Sequence, residues 1–145
     1  MLFLDVGLVN FKNGIQTQLL TREGLAGFYR GKIAEQMVGQ NLLASQINRE
    51  TTLYYWAKEK TRSSAEVDFC LAYERKVLGI EVKADHFLKL KSLFSFSHEV
   101  KNSVLIRVYD GELKNEKLVY QGRKYKVLSV PFYLINRIID PKFLF

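Results

Sequence analysis

The chain has one cysteine, two prolines, two histidines and one tryptophan among its 145 residues. A single cysteine, Cys70, excludes an intrachain disulfide and any metal cluster built on several thiolates. It fits a reducing, cytoplasmic setting. His86 and His98 have no further histidine at ligand spacing and are read as structural. No apolar run approaches the roughly 18–20 residues that span a bilayer, so no membrane partner is expected. The opening MLFLDVGLVN is apolar, but it carries Asp5 and lacks a basic leader, so a signal peptide is not expected. An apolar segment there wants a partner, and the expectation is that this chain is a piece of a longer protein.

Negative charge is also scarce. Fifteen acidic residues stand against 22 Lys and Arg, a formal net charge of +7. That balance favours a polyanionic partner, of which nucleic acid is the commonest, although many basic domains are charged only for solubility. With 48% apolar residues and 13% aromatics, the chain can bury a sizeable core. Its length fits one domain over residues 1–145.

Hydrophobic periodicity outlines the elements. Leu2 to Val9 is a short strand or a helical turn. Leu25 to Ile47 is helical, with Ile33, Met37, Ala44 and Ile47 on one stripe and Ala34, Val38 and Leu42 beside it. The aromatics of Leu53 to Ala57 mark a strand, followed by a charged loop from Lys58 to Ser64. Ala65 to Ala84, AEVDFCLAYERKVLGIEVKA, holds two alternating runs joined at Glu74-Arg75-Lys76. His86 to Val100 is helical, with Phe87, Leu90, Leu93, Phe94, Phe96 and Val100 inward, and Ser103 to Val108 is a strand. Lys117–Tyr120 and Tyr125–Val130 form a hairpin across Gln121–Lys124. A short helix from Phe132 to Ile139 is opened by Pro131 and closed by Pro141. The order of helix, three strands, helix, strand and hairpin predicts an α/β fold with a mixed sheet flanked by helices.

Acids stand inside the central motif where a buried strand ordinarily carries none. Asp68 lies in the first run, on a face shared with Glu66 and Cys70, with Val67, Phe69 and Leu71 on the apolar face. Glu81 and Lys83, separated by one valine, project from a common face of the second run. Among Val77, Leu78, Ile80 and Val82, charges are costly unless paired or bound to something. A hairpin sets Asp68 beside Glu81, and a divalent cation is the usual remedy for two adjacent carboxylates. The plainer readings are a strand end facing water for Asp68 and a half-exposed ion pair for Glu81 and Lys83. On the first long helix, Glu35 lies between Gly31 and Gly39, which imply close packing or room to reach across. Its plainer reading is a solvated helix residue.

Asp68, a turn and Glu81-Val82-Lys83 resemble the PD-(D/E)XK nuclease pattern of the restriction-endonuclease-like core, and Glu35 matches the helical glutamate that family often adds. The strings FLDVGL (3–8), GKIAEQMVGQNLL (31–43), LYYW (53–56), AEVDF (65–69) and IEVKA (80–84) look like the C-terminal domain of unknown function found in many bacterial and archaeal AAA+-type ATPases. That resemblance implies an upstream ATPase region as a partner. No ATP site is expected in this chain. In GFYRGK (27–32) the glycines are one residue too close for a phosphate loop, and Ile33 stands where Ser or Thr is needed.

Carried over by resemblance, Asp68, Glu81 and Glu35 would hold Mg²⁺ or Mn²⁺, and Lys83 would complete a set that hydrolyses DNA phosphodiesters. Lys58, Lys60, Arg62, Lys89 and Lys91 are candidate phosphate contacts, against the plainer reading of a solvated charged face. Tyr54, Tyr55 and Trp56 are read as core ahead of base-stacking residues. Three functions remain open: a metal-dependent nuclease domain, a non-catalytic domain that docks DNA or protein on an ATPase, and an assembly domain whose acids form a buried cluster with Lys83 and nearby arginines.

Overall fold

A computed structural model describes residues 6–12, 27–45, 52–58, 64–83 and 90–140. The protein is α/β. Helices α1 (Val6–Lys12) and α2 (Gly27–Ala44) precede strands β1 (Tyr54–Lys58), β2 (Ala65–Tyr73) and β3 (Lys76–Lys83). Helix α3 (Lys91–Glu99) and strand β4 (Ser103–Tyr109) come next, then the hairpin β5 (Lys114–Tyr120) and β6 (Arg123–Pro131), and a 3-10 helix (Phe132–Arg137). The six strands make one mixed sheet in the order β1-β2-β3-β4-β6-β5. β3 runs parallel to β4 and β4 parallel to β6, while the outer pairs are antiparallel.

The two faces carry separate apolar clusters, which is why the central strands read as almost continuous apolar runs. On one face, Ala34, Val38 and Leu42 of α2 meet Phe69, Leu71, Leu78, Ile80 and Val82, with Ile135 and Ile138 closing the far side. On the other, Leu93, Phe94 and Phe96 of α3 pack with Val67, Cys70, Leu105, Tyr125 and Val127. A fully buried side chain of this size contributes about 1.5–3 kcal/mol. Phe96, Leu42 and Leu71 are among the largest that are fully enclosed. Trp56 meets Phe96 edge to face, with centroids 5.7 Å apart.

The structure departs from the sequence reading in several places. The alternation of β2 is broken by a register shift: Tyr54 pairs with Cys70, but Trp56 pairs with Val67, leaving one extra residue on β2. Such a bulge reverses the facing of the side chains on its far side. Val67 therefore joins Cys70 on the α3 face, while Phe69 and Leu71 turn to the α2 face. The hairpin strands are longer than their apolar residues indicate, because Gln121 and Gly122, at φ 48° and 74°, make a two-residue turn that lets the ladder run to Tyr120↔Arg123. The last helix is a 3-10 turn rather than a longer segment. Tyr54 and Tyr55, read as core, are 59% and 70% exposed on the edge strand β1, and only Trp56 turns inward among the three. Around Gly31 an added Cβ would meet nothing within 4 Å, so close packing does not explain that glycine. The opening apolar segment is helical from Val6. The readings on Leu2, Ile47 and Phe87 lie outside the described residues.

Gly79 marks a close approach between β3 and α3. A Cβ there would lie 2.5 and 2.7 Å from Phe96 ring carbons, and Phe96 is held on all sides, so the ring has little room to give. Gly79→Ala is expected to cost about 1–3 kcal/mol of stability, the usual range for overpacking. Urea unfolding checks this, and Phe96→Leu in the same background is expected to recover part of the loss.

Candidate functional site

The β2–β3 ladder is paired from Tyr73↔Lys76 as far as Phe69↔Ile80. Beyond that point β2 stays with β1 through Val67, Glu66 and Ala65, and β3 stays with β4 through Glu81↔Arg107 and Lys83↔Tyr109. The two strands part, and the backbone groups at the fork need other partners. One is supplied by a side chain: the Val82 N–H donates to Asp68 Oδ2 at 2.7 Å. This hydrogen bond fixes the Asp68 carboxylate in the fork, next to Glu81. Glu81 and Lys83 lie at the carboxyl end of a strand in the parallel part of the sheet, where ligands of open α/β sheets are commonly bound.

Lys83 Nζ lies 2.5 Å from Glu81 Oε1. Glu81 is 3% exposed, and among the described residues its Oε2 is buried without a hydrogen-bond partner. Burial first, and the Asp68 charge second, push the Glu81 carboxyl from its ordinary 4.5 up to about 7, against the opposing pull of Lys83. Burial also raises Asp68, opposed by the Val82 N–H and by Lys83. Glu35, from α2, is raised by burial and then by the Asp68 charge, with Lys83 acting the other way. The four residues Glu35, Asp68, Glu81 and Lys83 therefore form one electrostatically connected group. Among the described residues no three acids, histidines or cysteines close into a ready metal cage. The donor set instead suits a cation that keeps much of its water and takes one or two carboxylates.

Sequence reasoning missed a polar seam that continues from this fork. Arg107, the register partner of Glu81, is in turn opposite Ser129. Its Nε donates to Ser129 Oγ at 3.1 Å, and its Nη2 meets Glu116 Oε2 at 2.6 Å. Ser129 also donates to Glu116, and the guanidinium stacks over Tyr109 at 4.3 Å. Arg107 and Ser129 are both buried. The signal was one arginine inside SVLIRVY and one serine inside VLSVP, each of which alone reads as an exception within a core strand.

Of the candidate phosphate contacts, only Lys58 and Lys91 fall among the described residues. Lys58 pairs with Glu99, Lys91 is exposed at the start of α3, and Lys60, Arg62 and Lys89 lie outside the described residues. His98 Nε2 is 2.5 Å from Tyr125 Oη, and the two rings stack. His86 is outside the described residues. No helix among the described residues is long and apolar enough to cross a membrane.

The protein is thus an α/β domain whose six-stranded mixed sheet, set between helices, carries a carboxylate-bearing fork at its centre. The chain belongs to the family described as Domain of unknown function (DUF4143), whose model matches residues 30–133. That span runs from the body of α2 through the start of the 3-10 helix and takes in the whole sheet. Comparison with curated proteins finds no match.

Glu81 gives a pH signature. In the folded chain its carboxyl keeps a proton between 4.5 and about 7, where the unfolded chain has released it. The folded state binds the extra proton, so stability falls as pH rises through that window. Without divalent cations, the thermal unfolding temperature is expected to drop between pH 5 and pH 8, with Glu81→Gln flattening the slope. An equal slope in both proteins counts against this assignment.

Proposed function

We propose that this domain is a metal-dependent phosphodiester hydrolase acting on DNA, with a restriction-endonuclease-like core of the PD-(D/E)XK type, carried on a longer AAA+-type ATPase. The observation that carries the proposal is Glu81: a carboxylate held 3% exposed beside Asp68, with one oxygen on Lys83 and the other without a donor among the described residues. Were the acids only a structural ion-pair cluster, the buried oxygen would be expected to have a partner, since an unsatisfied buried acceptor costs about 1–3 kcal/mol. The nearby Arg107 does not serve it, being committed to Glu116 and Ser129.

Asp68 and Glu81 are the residues that would hold Mg²⁺ or Mn²⁺, with Glu35 as a further ligand or a hydrogen-bond acceptor for its water. When bound, such a cation supplies Lewis acidity toward the phosphodiester and acidifies water for attack. The chain's own contributions are separate. The Val82 N–H holds the Asp68 carboxylate in its orientation. Lys83 places a positive charge beside Glu81, where it offsets negative charge that builds on the phosphate in the transition state. Burial of Glu81 and partial burial of Asp68 disfavour their uncompensated charges, which a bound cation would offset.

The direct Glu81–Lys83 contact supports a second reading, in which the domain docks DNA or protein for the ATPase and performs no hydrolysis. The two readings separate on two measurements. Thermal shift with Mg²⁺ or Mn²⁺ is expected to stabilise the wild-type chain, and Asp68→Ala is expected to abolish the response. Nicking of supercoiled plasmid with either cation is expected to fall on the order of 10²-fold or more in Lys83→Ala. Metal binding without nicking leaves the docking reading. Absence of any metal response in the wild type would falsify the hydrolase reading.

A further inference from the structure

On the α2 face of the sheet the helical cover is incomplete. α2 packs on β3, and the 3-10 helix packs on β4 and β6. At the opposite end of these strands lies a groove of about 580 Å³, lined by Lys76, Lys117 and Lys126 over Val104 and Leu128, with Asn115 at its side. Lys76 begins β3 and Glu81 lies near its end. At ~3.3 Å per residue the groove is roughly 16 Å along the strand from the carboxylate fork.

Two features of this groove call for a ligand. Lys117 and Lys126 are direct register partners, and like charges placed opposite each other across a ladder destabilise it. Neither lysine has an ion pair among the described residues. Lysines on an edge strand commonly guard a sheet against pairing with another chain. That explanation serves Lys117 on the edge strand β5, but Lys126 and Lys76 stand on β6 and β3, which are interior strands. The acid in the lining, Glu116, is turned to Arg107 and Ser129 and pairs with neither Lys117 nor Lys126.

We infer that this groove binds the phosphate backbone of a nucleic-acid strand. The lining sets three lysines, Ser103 and Asn115 over an apolar floor of Val104, Leu105 and Leu128, with Glu116 its one acid and with neither the aromatic nor the arginine anchor that centres a protein interface. Lysine ammonium groups serve phosphate well, and a strand supplies negative charge at a regular spacing that opposed lysines can share. The inference rests on the nucleic-acid part of the function proposed above and not on the metal. It also moves the phosphate contacts from the loops around β1 and α3 to the open half of the sheet.

The test is fluorescence anisotropy with a labelled single-stranded oligonucleotide in EDTA, so that the metal site plays no part. The wild-type chain is expected to bind with an affinity that falls with salt. Lys117→Gln with Lys126→Gln is expected to weaken binding about tenfold and to lower the log–log salt slope by roughly 1.4, from two lost contacts at ~0.7 each. Unchanged affinity and slope would overturn the inference. So would equal competition by polyglutamate, which would assign the groove to an acidic protein. Circular dichroism checks folding, and Lys117→Gln alone, on the exposed edge, replaces the pair if the double variant does not fold. Loss of EDTA binding in the double variant, in a protein that never nicks plasmid, supports the groove and refutes only catalysis. Nicking without this loss does the opposite.

Discussion

A single side chain-to-backbone hydrogen bond decides how the centre of this molecule is built. β2 and β3 begin as an ordinary hairpin and then take different neighbours, β1 for one and β4 for the other. At that parting the Asp68 carboxylate accepts the Val82 N–H, closing a gap that the ladder leaves open. Removing it would expose a backbone donor in a half-buried fork, and it would release the acid whose charge most raises Glu81. The fold and the candidate chemistry therefore share one bond. Asp68 holds the fork's geometry, and its charge adds to the burial that makes Glu81 reluctant to ionise.

The sheet accommodates a considerable polar load. Glu81, Arg107 and Ser129 are all buried, with Glu116 reaching in from the edge hairpin. Such groups are tolerated where each has a partner and are costly where one does not. Along most of the seam the pairing is complete: guanidinium to carboxylate, guanidinium to hydroxyl, hydroxyl to carboxylate. It fails at Glu81 Oε2. The contrast between a satisfied seam and one unsatisfied atom at its end directs attention to the fork, more than the presence of acids in strands does.

Much of this was legible beforehand. The two main helices and the central hairpin come from periodicity, and the strand at 53–57 from its aromatics, though not its place at the sheet's edge. The nearness of Asp68 to Glu81 comes from the expected hairpin, and the common face of Glu81 and Lys83 from strand alternation, although Asp68 stands at the fork where the ladder has ended and not opposite Glu81. Alternation could not supply the bulge at Val67–Cys70, since an inserted residue leaves no mark in composition and reverses the face of every side chain beyond it. Arg107 escaped notice for a related reason. Its partners, Glu116 and Ser129, come from strands later in the chain, and nothing local to SVLIRVY announces a long-range ion pair. The exposure of Tyr54 and Tyr55 was hidden because aromatic residues favour strands whether those strands are central or at an edge.

The lone thiol has its own bearing on how this sheet breathes. Cys70 is buried in the α3-side cluster, and its environment raises the thiol to about 11. A reagent that needs both access and thiolate finds neither in the closed protein. Its modification must wait for β2 to detach from its neighbours, so the rate at which Cys70 is alkylated is a built-in clock for sub-global opening around the fork. With one cysteine in the chain, that clock runs free of interference from any other.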